Sequence, residues 1–330
     1  MRFLIIWTAL VTAATAKVAV MLPFYSYPTS PDWQAALDAI DAHQDLHFYV
    51  VINPHNGPTN RTGTGGTQTE PYGFNEDWVT ELDKLNMRHN AQAIGYVATG
   101  QCTLAEPRTM AEMQSDIDNW ATWSLTKTAT GWNAPGYQYN ISINGIFFDE
   151  TAAQDTTTGG TVIGCYQQLT DYVNTKFKDP SRPAGLQSIV FNPGSVPADS
   201  MKNLFSFGDA VITAETCYTD RIYPDGECGA AGDTMISWNP FTADKMRMDQ
   251  PPFLPIDKTL WPKSSILVHG FAQVGDSTKP VDAATLSDSI KSVIERGVHS
   301  LYFTTKGWAS FTDPPADITT VVQDISTNAS

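Results

Sequence analysis

Acidic residues close two apolar runs in this sequence. Asp149 and Glu150 follow Gly145-Ile146-Phe147-Phe148, and Glu215 follows Ala210-Val211-Ile212-Thr213-Ala214. If folding brings the two ends together, one carboxyl can protonate a leaving oxygen while the other acts as nucleophile or base. That division of labour is the chemistry of glycoside cleavage. Side chains alternate along a strand, so Asp149 shares a face with Phe147 and Glu150 turns toward the loop. Asp149 is expected as nucleophile or base and Glu150 as a residue that binds substrate or tunes its neighbour. Glu215 is expected as general acid, with a pKa raised by burial beside another carboxylate. Plainer uses exist for each. Asp149-Glu150 would suit the cap of a following helix, and Glu215 an ion pair with Arg221.

Other strand ends supply candidate substrate-binding groups: Tyr25, Asn53, Tyr96, Thr99, Asn192 and His269, with Tyr218 just past Glu215 and Trp308 just past Thr304-Thr305. Asn53 and Asn192 each precede a proline, so each would also shape a turn. A strand-end histidine such as His269 also suits a satisfied core position. Trp308 would stack on a sugar or seal the barrel. The six histidines form no HxH or HExxH pattern and the cysteines no CxxC, so no metal and no cofactor is expected. No G-x-S-x-G elbow occurs.

The elements that must position these residues read as an alternation. Short runs rich in Val, Ile, Phe and Tyr span 18–25, 48–53, 93–99, 145–150, 188–192, 210–215, 266–270 and 301–305. Bounded by Pro, Gly or Asn, they have the pattern of buried parallel strands. Helical periodicity falls between them, over 32–42, 75–88, 109–120, 166–177, 197–205, 283–296 and 316–325. Strict alternation over a chain of this length predicts a single α/β domain, a closed (β/α)8 TIM barrel. The rival is a doubly wound open sheet, but no G-x-G-x-x-G or P-loop follows any strand. Catalytic residues of such a barrel lie at the C-terminal strand ends. Strands four and six flank strand five, so their axes lie about 9–10 Å apart. That spacing admits both retaining and inverting geometry. The segments 62–69 and 151–160 are expected as loops on the catalytic face.

Met1-Arg2, an apolar run from Phe3 to Ala14 and Ala14-Thr15-Ala16 read as a secretory signal over 1–16, leaving 17–330 as the catalytic domain. The apolar run is shorter than the roughly 20 residues of a membrane span. Sequons at Asn60, Asn140 and Asn328 suit a secreted, extracellular or wall-associated glycoprotein. In that compartment four cysteines predict two disulfides. Cys217 with Cys228 closes a short loop and leaves Cys102 with Cys165; the other two connectivities stay open. The net charge of -15 argues against nucleic acid and anionic lipid as partners, favours solubility and tolerates a cationic polymer. A monomer acting on a polysaccharide is expected.

Several segments carry a family signature in order: Pro23-Phe24-Tyr25-Ser26-Tyr27-Pro28, Val51-Ile52-Asn53-Pro54-His55-Asn56-Gly57-Pro58, Gly95-Tyr96-Val97-Ala98-Thr99-Gly100, Gly145-Ile146-Phe147-Phe148-Asp149-Glu150 and Phe191-Asn192-Pro193-Gly194, then Glu215. The set resembles the spherulin-4-like family, glycoside hydrolase family 135, over nearly the whole mature chain. The resemblance implies a (β/α)8 barrel and an endo-acting hydrolase of α-1,4-linked N-acetylgalactosamine stretches in fungal galactosaminogalactan. It implies functional acids at Asp149, Glu150 and Glu215. His55 stands where a small polar residue is expected, and the segment 59–69 is longer than usual. Two alternatives compete: a hydrolase of deacetylated polygalactosamine, and a non-catalytic wall or spore-coat barrel.

Overall fold

The computed structural model describes residues 17–61, 68–71, 76–102, 108–123, 125–127, 138–155, 157, 159–178, 188–217, 257–273, 276–280, 282–305, 311–313 and 316–329. The eight expected strands are present: β1 (Ala19–Phe24), β2 (Phe48–Ile52), β3 (Ala91–Ala98), β4 (Gly145–Asp149), β5 (Ser188–Phe191), β6 (Ala210–Cys217), β7 (Ser264–His269) and β8 (Ser300–Phe303). Each pairs in parallel with its sequence neighbours, and β8 pairs with β1, so the sheet closes into a barrel. Closure leaves no free sheet edge. It also explains the near-continuous apolar runs, because both faces of every strand are covered.

Helices surround the barrel where the periodicity places them. α1 (Pro31–Ala42) starts at an Ser30 cap with proline in its first turn and buries Trp33, Ala36, Leu37 and Ile40. α2 (Glu76–Asn86) buries Trp78, Leu82 and Leu85. α3 (Met110–Thr122) opens with a reciprocal capping box between Thr109 and Glu112 and buries Met113, Ile117 and Trp120. α4 (Thr161–Phe177) begins five residues before the expected Tyr166, because Asp155 accepts the backbone N–H groups of Val162 and Ile163. The expected helix over 197–205 is instead a 3-10 turn (Asp199–Met201) and a single α turn, α5 (Leu204–Phe207). No side chain caps either piece, so neither gains the hydrogen bonds that would extend it. α6 (Ala283–Ile294) and α7 (Ile318–Asn328) start at the aspartate caps Asp282 and Asp317.

The expected loop over 62–69 is flanked by an antiparallel hairpin, Thr59–Arg61 with Gln68–Pro71. In the expected loop 151–160, Asp155 also receives an N–H from Thr157.

Register sorts the barrel interior. Tyr49, Gln92 and Ser188 meet at the N-terminal end, where Gln92 Nε2 donates to Ser188 Oγ at 2.9 Å and Tyr49 lies between His47 and His299. Ser265 and Ser300 share a hydrogen bond at 2.6 Å at this same end. At the opposite end the strands deliver Tyr25, Tyr96, Asp149, Asn192 and Glu215 to one place.

Candidate active site

Asp149 is the last residue of β4. Tyr96 pairs with Phe147 and Ala98 with Asp149 across the β3–β4 ladder, so all four point the same way. The Tyr96 and Phe147 rings stack with centroids 6.3 Å apart. Tyr96 Oη donates to Asp149 Oδ2 at 2.7 Å. Behind Tyr96, Gly95 lets α3 approach: a Cβ there would meet the Trp120 ring at 2.6 Å. Trp120 Nε1 donates instead to the Tyr96 carbonyl at 2.9 Å. The Gly-Tyr pair therefore fixes the tyrosine that holds the acid.

Glu215 reaches the same cluster through an irregularity in β6. Ile212 pairs with Ser265 and Glu215 with Leu267, while the register shifts between Ile212 and Ala214. Two residues of β6 thus oppose one of β7, which is a β-bulge. Unbroken alternation from Ile212 would have turned Glu215 to the outside of the barrel. The bulge returns it inward, where Asn192 Nδ2 donates to Glu215 Oε2 at 2.6 Å and to Asp149 Oδ1 at 2.7 Å. Two oxygens bound to one nitrogen at those distances stand within about 5 Å of each other.

Burial pushes the Asp149 carboxyl pKa up, against the lowering effect of the hydrogen bonds from Tyr96, the Glu150 backbone and Asn192. Tyr25 lies edge-on to Tyr96 at 5.8 Å. Its hydroxyl pKa is raised by burial and then by Asp149, Tyr96 and Glu215, which keeps it a protonated donor beside the acids.

Glu150 leaves the strand. It adopts φ +52°, a left-handed conformation that swings its side chain to an exposed position, as alternation predicts. Its Oε2 accepts the Gly100 N–H at 3.3 Å. Thr99, expected at the substrate, is fully buried, and its hydroxyl bonds the carbonyls of Asp149 and Glu150 at 2.9 and 2.8 Å. It acts on the backbone behind the acids rather than on a ligand. Asn53 also turns away: its Oδ1 accepts the Gly57 N–H at 3.0 Å, the turn-shaping use. His269 is buried at the end of β7, with its imidazole pKa pushed down to about 4 by burial, so it is neutral at physiological pH. The alternative of a helix cap at Asp149-Glu150 is superseded, since Asp155 serves α4.

Cys102 and Cys165 form a disulfide that ties the turn after β3 to α4. Tyr218, Arg221, Cys228 and Trp308 lie outside the described residues, as does the Asn60 side chain. Cys217 ends β6. Of the other sequons, Asn140 Oδ1 accepts the Ser142 N–H and Asn328 Nδ2 donates to the Asp324 carbonyl. Among the described residues no group of three His, Cys, Asp or Glu side chains converges as a metal site requires. Reasoning from sequence missed the Asn192 bridge; the Asn192-Pro193-Gly194 run signals only the turn.

A closed eight-stranded parallel barrel with two carboxylates converging at the C-terminal strand ends defines a (β/α)8 TIM-barrel protein with a paired-acid site. The chain belongs to spherulation-specific family 4, whose model matches residues 19–325. No curated protein matches it in sequence. Among solved structures it is similar to Aspergillus clavatus Sph3 in complex with GalNAc, at 22% identity over 94% of this chain and 98% of that one, with a TM-score of 0.59. A chitinase from Bacteroides thetaiotaomicron is similar at 9% identity, 94% and 97% coverage and a TM-score of 0.49. The chitinase-like agglutinin of Robinia pseudoacacia follows at 12%, 94% and 99%, and 0.46. The likeness to Sph3, at 22% identity, shows a shared barrel.

Proposed function

We propose that the protein is a secreted, endo-acting glycoside hydrolase that cleaves α-1,4-linked N-acetylgalactosamine stretches of a galactosaminogalactan. The observation that carries this is the convergence of Asp149 and Glu215 on one amide nitrogen, at 2.7 and 2.6 Å. Two carboxylate oxygens within about 5 Å of each other fit the roughly 5–5.5 Å of retaining glycosidases better than the roughly 6.5–9.5 Å that seats a water in inverting ones. Family membership and the barrel shared with a GalNAc-bound relative support a galactosamine substrate.

Glu215 donates its proton to the leaving glycosidic oxygen, and Asp149 attacks the anomeric carbon. Water, deprotonated by Glu215, then releases the sugar with its configuration retained. Burial raises the Asp149 pKa and makes its carboxylate a stronger base and nucleophile, while the donors from Tyr96 and Asn192 partly offset that shift. Tyr25 and Glu150 flank the acids and suit contacts to the sugar hydroxyls. The segment 1–16 as a removed leader, glycans at Asn60, Asn140 and Asn328, and a monomeric state belong to the same reading.

Incubation of the chain with α-1,4-linked N-acetylgalactosamine oligosaccharides, read by mass spectrometry, tests it. Shorter oligomers are expected from the native chain. Asp149→Asn and Glu215→Gln should each remove several kcal/mol of transition-state stabilisation, about 10³-fold or more in rate. Undiminished cleavage by either variant would sink the assignment. The net charge of -15 favours one second reading, a preference for deacetylated, cationic polymer. Side-by-side cleavage of acetylated and deacetylated substrates separates the two, and intact polymer in both arms would leave a carbohydrate-binding barrel.

A further inference from the structure

Asn192 would ordinarily be read as a substrate contact, since it stands among the acids at a strand end. Its hydrogen bonds say otherwise. Oδ1 accepts the N–H of Gly194 at 3.0 Å, which fixes the amide orientation and aims Nδ2 into the barrel. Both hydrogens of Nδ2 are then used, one by Asp149 and one by Glu215. The residue is only 6% exposed, so no N–H remains for a sugar.

The turn that follows serves the same end. Gly194 sits at φ +65°, a left-handed position natural to glycine, and its carbonyl accepts the Glu215 backbone N–H at 2.9 Å. The Asn192 carbonyl accepts the Thr151 N–H, and its own N–H bonds Phe148 O, so β4 and β5 continue their ladder past the acid. One turn thus ties the backbone of Glu215, the side chain of Glu215 and the side chain of Asp149 into a single unit.

We propose that Asn192 is a positioning residue: its one amide group holds the Asp149 and Glu215 carboxylates at a fixed separation and gives each a hydrogen bond that favours its ionised form. It acts through the two acids and leaves the sugar to other groups. Among the described residues the titratable groups around this unit are Tyr25 just after β1, Tyr96 from β3, Glu150 after β4 and His269 at the end of β7.

The test uses two variants of the full chain. Asn192→Asp keeps the oxygen that accepts from Gly194 but replaces the shared donor with an oxygen. Asn192→Ala removes both ends of the side chain. Carbon-13 NMR titration of the aspartate and glutamate carboxyls reads the clamp without any substrate. The Asp149 and Glu215 midpoints are expected to rise by about one pH unit or more in each variant. Unmoved midpoints in Asn192→Asp, with an unchanged melting temperature showing that it folds, overturn the proposal.

The kinetic arm rests on the hydrolase reading. There kcat should fall about 100-fold with KM changed less than about 3-fold, and the acid limb of kcat/KM should move to higher pH. A raised KM with unchanged kcat would make Asn192 a substrate contact and overturn the proposal. If the native chain cleaves nothing, the hydrolase reading fails while the titration still decides the clamp.

Discussion

Ile212 and Glu215 lie on the same face of β6 although three residues apart, while their partners Ser265 and Leu267 on β7 are two apart. The bulge absorbs the extra residue and so keeps the second acid facing into the barrel. Thr213, inside the bulge, is fully buried, and its hydroxyl has no hydrogen-bond partner among the described residues.

Thr213→Val should therefore leave activity intact and stability unchanged or raised by up to about 1 kcal/mol, since no hydrogen bond is lost and a buried polar group is removed. Deleting Thr213 removes the extra residue, so Ile212 and Glu215 become two apart like Ser265 and Leu267, Glu215 still faces inward and cleavage should persist. Urea melts and rates on one oligosaccharide, run for both variants, check this.

Thr99 bonds two carbonyls on the strand end that carries Asp149 and Glu150. Thr99→Val keeps the shape and deletes both bonds, for a loss of about 1–3 kcal/mol. Thr99→Ser should recover most of it. Equal urea midpoints for native chain and Thr99→Val would show that the hydroxyl contributes nothing.

The Cys102–Cys165 bridge spans a sequence separation of 63 residues and anchors the turn whose Gly100 and Gln101 N–H groups reach Glu150. Replacing both cysteines by alanine should cost about 2–4 kcal/mol. Activity should fall as well, because Gly100, Gln101 and Cys102 all adopt positive φ and lose the tether that holds them there. Thermal melting with and without reductant gives the first reading.

Acid should weaken the fold through His269 and His299, whose pKa values burial holds near 4. At His299, Asp209 works against this lowering while His47 and Lys263 add to it. A folded pKa below the unfolded value of about 6.5 means that the unfolded chain takes up protons first. The stability is complete above pH ~6.5 and is lost as pH falls toward about 4, with no further loss from these groups below that. For His269 the shift corresponds to about 3 kcal/mol. Urea midpoints from pH 7 to 4 should fall less steeply in His269→Asn.

Asp149 has the opposite sign. Its raised pKa means that the fold disfavours the ionised carboxylate, so stability drops as pH rises through the folded pKa. Asp149→Asn should be inactive yet more stable than the native chain at pH 7, with the difference shrinking at pH 3. A destabilised variant at pH 7 would show that the hydrogen bonds to the anion outweigh its desolvation.

Much of this molecule was written locally. Eight apolar runs marked the strands, because a parallel barrel buries both faces of each one and needs continuous hydrophobic sequence. Helix starts followed from side chains that cap their own first turn, as at Ser30, Asp282 and Asp317. Asp149 could be faced inward from Phe147 by alternation alone. Tertiary structure decided the rest. Glu215 faces the site through a register shift that exists only when β6 pairs with β7, and no single strand reveals it. Thr99 and Asn192 looked like ligand contacts until their partners, 50 and 43 positions away at Asp149, were brought alongside. The site depends on such long-range pairings because a hydrogen bond needs two groups at about 3 Å, and only strand register sets that distance between residues far apart in the chain.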